Sequence, residues 1–177
     1  MRLSKTLAAG AVALTALVTL TGCGDDGGDA AAGPLSGLPQ ANTMAELQKF
    51  ITGTGAQCSE LRPSDVDGMI DESKDPAWSI KEREVCDDDL ILLLIDDMAK
   101  FQEATAKAEA NGGFGRDFLI GQNFALTAVG DEASQLLMQG GLTRMSCNPG
   151  DRESLPTGFT AKDGLAKGCF TTDYMPD

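Results

Sequence analysis

An α+β fold, with two or three helices packed on a small, mainly antiparallel sheet, is predicted by three features of this sequence. Helix-like and strand-like segments follow in the order helix, strand, strand, strand, helix, strand, helix, without the regular alternation that builds a parallel sheet. The run Leu90-Ile91-Leu92-Leu93-Leu94-Ile95 is apolar at every position, so it needs cover on both faces and is read as the middle strand. Residues 43–177 number 135, the size of one domain with a single modest core. A ferredoxin-like arrangement, or a rearranged version of one, is the nearest named architecture, and no internal repeat of fixed period is visible.

The chain opens on Met1-Arg2-Leu3-Ser4-Lys5, continues through an uncharged run from Leu7 to Leu20, and reaches Leu20-Thr21-Gly22-Cys23. A basic start, a short apolar stretch and small residues before a cut site describe an export signal. The apolar run is about 14 residues, against roughly 20 for a helix that crosses the hydrocarbon core, so it is too short for a stable anchor. Leu20-Thr21-Gly22-Cys23 resembles the lipobox of bacterial lipoproteins. That resemblance covers only the leader, and it implies a diacylglycerol thioether on the Cys23 sulfur with cleavage before Cys23. Residues 1–22 are then a signal peptide and Cys23 the lipidation site. Two or three acyl chains would hold the protein stably, since one chain gives only marginal binding. Residues 24–42 are rich in Gly, Asp and Ala and offer almost nothing to a core, so with Cys23 they read as a lipidated, disordered tether. Its average span by chain statistics is about 25 Å.

The domain, residues 43–177, starts with Thr43-Met44-Ala45-Glu46, which has the form of a capping box. Met44, Leu47, Phe50 and Ile51 then share one helical face, and Gly53 or Gly55 ends the helix. Ala56 to Leu61, bounded by Gly and Pro63, reads as a strand containing Cys58. Arg62 to Pro76 reads as an acidic loop. Trp78 to Cys86 and Leu90 to Ile95 flank Asp87-Asp88-Asp89 as a hairpin. Asp96 or Asp97 caps a helix whose Met98, Phe101, Thr105 and Ala108 line one side, with Glu103 placed to pair with Lys107. Asn111-Gly112-Gly113 stops it. Phe118 to Val129, broken at Gly121, is one bent strand or two short ones. Asp131 caps a last helix through Gln139, Thr143 to Cys147 forms a final edge strand, and an irregular tail follows, held by Cys169 with Phe170 and Tyr174.

With Cys23 lipidated, Cys58, Cys86, Cys147 and Cys169 remain, an even number that in an oxidising compartment reads as a disulfide framework. Three connectivities are open. Cys58–Cys86 with Cys147–Cys169 is favoured because each bridge joins neighbouring segments. No C-x-x-C spacing supports a redox pair or a zinc ribbon.

The sequence holds 14 Lys and Arg against 27 Asp and Glu. Loss of Arg2 and Lys5 with the leader leaves 12 against 27, a net charge of −15. Such a surface is repelled by phosphate backbones and anionic headgroups, so no nucleic-acid partner is expected. There is no histidine, which excludes Ser-His-Asp and Cys-His nucleophile systems and the usual His-bearing metal sites.

The best metal candidate is Asp65-Val66-Asp67-Gly68-Met69-Ile70-Asp71-Glu72. Setting Gly68 at the sixth position of an EF-hand loop places Asp65, Asp67 and Asp71 at ligand positions three, five and nine. Pro63 and Lys74 then stand where the leading Asp and the bidentate Glu belong, so a solvated loop is the simpler account. Asp87-Asp88-Asp89 and Asp96-Asp97 suit turn formation and helix capping. Phe114-Gly115-Arg116-Asp117-Phe118 and Gly121-Gln122-Asn123-Phe124 fit either a recognition patch or a bulge beside core aromatics. No catalytic residue and no cofactor is assigned.

Trp78 to Cys86 and Phe118 to Leu126 resemble small secreted lipoproteins of high-GC Gram-positive bacteria, a likeness that implies no specific activity. The expectation is a non-enzymatic, membrane-anchored extracytoplasmic domain that binds a protein or another envelope component. A carboxylate-based hydrolase or a cation-binding domain using the acids from Asp65 to Glu72 is the alternative. Oligomeric state stays open.

Overall fold

A computed structural model describes residues 33–63, 74–87, 90–112, 118–128 and 130–176. Helix α1, Met44–Thr54, starts where Thr43 Oγ1 accepts the Glu46 N–H at 3.2 Å, and the Glu46 carboxylate reaches back to the Asn42 N–H at 2.7 Å. It stops at Gly55, whose φ of 93° is easy only without a Cβ. The expected strand around Cys58 is absent. Residues 56–60 instead run beside α1, where Gln48 Nε2 donates to the carbonyls of Cys58 and Ser59, and pairing begins only at β1, Leu61–Pro63.

A 3-10 turn, Pro76–Trp78, leads into β2, Ile80–Cys86, which forms the expected hairpin with β3, Leu90–Ile95. Helix α2, Met98–Ala110, begins at Asp97, whose Oδ1 accepts the Ala99 and Lys100 N–H groups. Phe118 to Ala128 is two strands, β4 at Phe118–Ile120 and β5 at Phe124–Ala128. Helix α3, Asp131–Gln139, does not use Asp131 as its cap: Gly130 holds that position with no side-chain hydrogen bond, and Asp131 sits in the first turn. Then come β6, Thr143–Ser146, a short helix α4, Pro149–Glu153, and strands β7, Ala161–Asp163, and β8, Phe170–Thr172.

The described strands lie in one antiparallel sheet of order β1-β2-β3-β5-β4-β6-β8-β7. The α+β class and the mainly antiparallel sheet hold. Two details are corrected. Strand β3 is interior but third of eight, and β6 is no edge strand, because the stretch expected as an irregular tail adds β8 and β7 beyond it. The core segment β3-α2-β4-β5-α3-β6 has ferredoxin-like connectivity in rearranged form: β5 lies between β3 and β4, and β6 joins the outside of β4 instead of returning to β3.

Alternation along β3 shows why its run is unbroken. Leu90, Leu92 and Leu94 face a core closed by α1 and α3, with Leu47, Ile51, Phe124 and Leu137. Leu93 and Ile95 face a second core under α2, with Trp78, Phe101, Phe118 and Met145. Phe101 stands edge-on to both Trp78 and Phe118, at centroid distances of 5.8 and 5.0 Å. Cys58–Cys86 closes on the first core and Cys147–Cys169 on the second, with sequence separations of 28 and 22. By chain entropy each bridge contributes about 3.5 kcal/mol.

Residues 33–42, expected as part of the tether, are packed on the sheet instead. Leu35 is buried and Leu38 half-buried in the second core and Ala41 is buried in the first, because the turn joining β4 to β5 takes this segment in. Gln122 N–H donates to the Pro39 carbonyl at 2.8 Å and Gln122 Nε2 to that of Leu38 at 2.6 Å. Asn123 accepts the Ala41 N–H at 3.1 Å and donates to the Ala41 carbonyl at 2.7 Å.

Candidate functional site

A groove of about 410 Å³ lies between the C-terminal half of α2 and the segments on either side of the Cys147–Cys169 bond. Ala106, Glu109 and Ala110 form one wall, Cys147, Asn148 and Pro149 another, and Lys167 the rim. One helical turn before Ala106, Gln102 is fully buried, and its Oε1 accepts the N–H groups of Leu165 at 2.7 Å and Ala166 at 3.1 Å. Those two donors fix the amide's orientation and leave Nε2 buried without a hydrogen-bond partner among the described residues. The Gln102 carbonyl oxygen also lies 3.4 Å from Cys169 Sγ and 3.6 Å from Cys147 Sγ. A helix, a loop and a disulfide are thus locked together at one place.

The floor beyond is rigid for a separate reason. Asp151 accepts from Arg144 Nη2 at 2.9 Å, Ser146 Oγ at 2.8 Å and Asn148 Nδ2 at 3.2 Å, while Asn148 Oδ1 caps α4 through the Gly150 N–H. Arg144 is buried in β6, so its charge is held inside by a partner and its network. Arg152, next to Asp151, lies over the Phe170 ring and bonds Asp163 at 2.7 Å. The groove itself combines the apolar walls of Ala106, Ala110 and Pro149 with the charged side chains of Glu109 and Lys167.

The acids singled out by sequence divide into three sets. Asp65, Asp67 and Asp71 lie outside the described residues, as do Asp88 and Asp89. Asp87 is described, and its carboxylate accepts the Ser59 N–H at 2.8 Å, the Ser59 hydroxyl at 3.0 Å and the Glu60 N–H at 3.0 Å. Those backbone donors hold its pKa below the ordinary value. Asp96 and Asp97 stand at the far end of β3, about 20 Å away by the rise of a six-residue strand, so these carboxylates do not converge. Among the described residues no group of three or more His, Cys, Asp or Glu could hold a metal ion.

One acid that the sequence did not single out is unusual. Glu84 on β2 has a buried Oε2 without a hydrogen-bond partner among the described residues, and burial, with the nearby Glu82 charge second, raises its pKa. The candidate patch at Gly121 to Phe124 is occupied by residues 38–41, and Phe124 is core. Phe118 is core as well, while residues 114–117 lie outside the described residues. Gln102 carried a sequence signal that went unused, since it falls in the 98, 101, 102, 105 register of buried positions on α2. Asp151 carried none. Cys23 lies outside the described residues, and among those that are described no helix is long and apolar enough to cross a membrane. Comparison with protein-family models, curated proteins and solved structures finds no match to this chain, so its residues alone must carry the functional reading.

Proposed function

We propose that this chain is a lipoprotein of the bacterial envelope, anchored on the extracytoplasmic face through Cys23, whose domain is a non-enzymatic binding module with the α2 groove as its contact surface. The observation that carries the reading is the pair of disulfides, one under each face of the sheet, because such bonds form and persist in oxidising compartments. The lipobox-like Leu20-Thr21-Gly22-Cys23 supplies the anchor. Ten residues separate Cys23 from Pro34, so the domain stays within about 40 Å of the bilayer even with that stretch fully extended. Several described acids that might have served chemistry are engaged in structural contacts, Asp87 in a turn, Asp97 in a helix cap and Asp151 in an ion pair with Arg144.

Cell fractionation tests the anchor: the wild type is expected in the membrane fraction and Cys23→Ala in the soluble one. Membrane retention of Cys23→Ala would defeat the proposal. A photo-crosslinker at Lys167 in intact cells tests the groove, with an adduct expected there and none from an exposed position on α1 such as Lys49. The second reading is a carboxylate-based hydrolase or cation site using the acids from Asp65 to Glu72, and Glu84, with a buried Oε2 that has no hydrogen-bond partner among the described residues, is the described acid that bears on it. Calcium titration of the purified chain tests its cation form, and absence of heat in the millimolar range removes it.

A further inference from the structure

The folded surface carries an aromatic pair, one ring exposed and one half-buried, close to where the described chain begins. Only two large apolar side chains are exposed among the described residues, Phe159 and Leu165. Phe159, 45% exposed, ends the turn Pro156–Phe159 and packs on Tyr174, with ring centroids 4.8 Å apart. Their neighbours hold the pair in place, since the Thr160 N–H donates to Asp173 Oδ1 at 2.7 Å. Thr160 and Asp173 also form part of a 220 Å³ crevice whose opposite wall is Pro34, Ser36 and Leu38. Pro34 is the near end of the stretch that leads back to Cys23. The crevice thus brings the start of the packed chain against Thr160 and Asp173, the chain neighbours of Phe159 and Tyr174.

We infer that Phe159 and Tyr174 form a membrane-resting patch that seats the domain on the headgroup region of the bilayer to which Cys23 is anchored. The inference rests on the reading of Cys23 as lipid-bearing. Tyr is suited to a headgroup layer, with an apolar ring and a polar tip, and the adjacent Phe supplies the apolar area. The patch alone would bind lipid weakly, and the acidic chain is repelled by anionic headgroups. Tethering changes that balance. With ten residues between Cys23 and Pro34 the chain length holds the patch near the lipid, an effective concentration on the order of millimolar, so a weak contact becomes populated. A domain seated this way has one face committed to the membrane.

The test uses the full lipidated chain in phosphatidylcholine vesicles, with and without bromine on the acyl chains, and reads tryptophan emission. Wild type reports Trp78, which is buried under α2. Phe159→Trp adds an indole at the patch. Leu165→Trp adds one in the loop at the other end of the β7–β8 hairpin and serves as the control. The expected result is a blue shift and loss of the added emission at position 159 in brominated vesicles, with the added emission at 165 unchanged. Emission at 159 that is unquenched while the protein floats with the vesicles, or quenching that is equal at 159 and 165, overturns the patch and leaves the anchor standing. Failure of the acylated protein to float overturns the anchor and the patch together.

Discussion

Replacing Asn123 by Ala should loosen the seam that holds residues 38–41 to the sheet. Asn123 takes both backbone groups of Ala41, which is 1% exposed, accepting its N–H at 3.1 Å and donating to its carbonyl at 2.7 Å. Alanine leaves that N–H and C=O without partners. Each orphaned buried group costs about 1–3 kcal/mol, so both left in place cost about 2–6 kcal/mol. The upper part of that range is not reached, because the segment can lift and rehydrate at the expense of burying Leu35 and Leu38. The expected loss is therefore about 2–4 kcal/mol, which at about 2–4 °C per kcal/mol lowers Tm by about 5–15 °C. Urea unfolding with the disulfides intact gives the free energy, and hydrogen exchange at Ala41 shows where it is lost. Asn123→Asp should also be destabilising, because a carboxylate still accepts the Ala41 N–H but sets its other oxygen against the carbonyl. A loss under about 0.5 kcal/mol for Asn123→Ala, with Ala41 still protected, would refute the seam as drawn, since surface changes alone fall within that limit.

Three further outcomes follow from the same packing. At Gly121 an added Cβ would meet Phe124 Cζ at 2.5 Å and the Pro39 carbonyl at 2.5 Å, so Gly121→Ala should cost about 1–3 kcal/mol by calorimetry. Glu84 has a raised pKa from burial and then Glu82, so the native state binds more protons than the unfolded chain above the ordinary value of 4.5. Stability must then fall as pH climbs through that window, and Glu84→Gln should flatten the fall and raise Tm at pH 7. The Cys147→Ser, Cys169→Ser pair should lose about 3.5 kcal/mol of stability to urea, with the sheet retained by circular dichroism.

The elements with a strong local pattern were legible in the chain. Thr43 and Asp97 cap their helices as their side-chain chemistry requires, and Leu90 to Ile95 is apolar throughout because it serves two cores. Where a local rule was outcompeted, the reading failed. Residues 56–60 contain strand-forming character but lie against α1, where Gln48 takes their carbonyls. The segment after Asn148 is rich in Pro, Gly and Asp, yet β8 pairs with β6 through Arg144, Met145 and Ser146, and no local composition announces a partner so far back in the chain. The groove was equally hidden, since its walls come from α2, from residues 147–149 and from Lys167, which meet only after the Cys147–Cys169 bond and the Gln102 clamp form.

Composition and order alone determined an α+β class, a strongly acidic chain and four cysteines beyond Cys23, because these depend on residue identity and near-neighbour spacing. Strand order, the docking of residues 33–42, the seat of the buried Arg144 and the meeting of Thr160 with Pro34 across one crevice were decided by tertiary structure. Each of those arises between segments far apart in the chain, where burial and hydrogen-bond satisfaction across the whole sheet select one arrangement among many that local propensity allows.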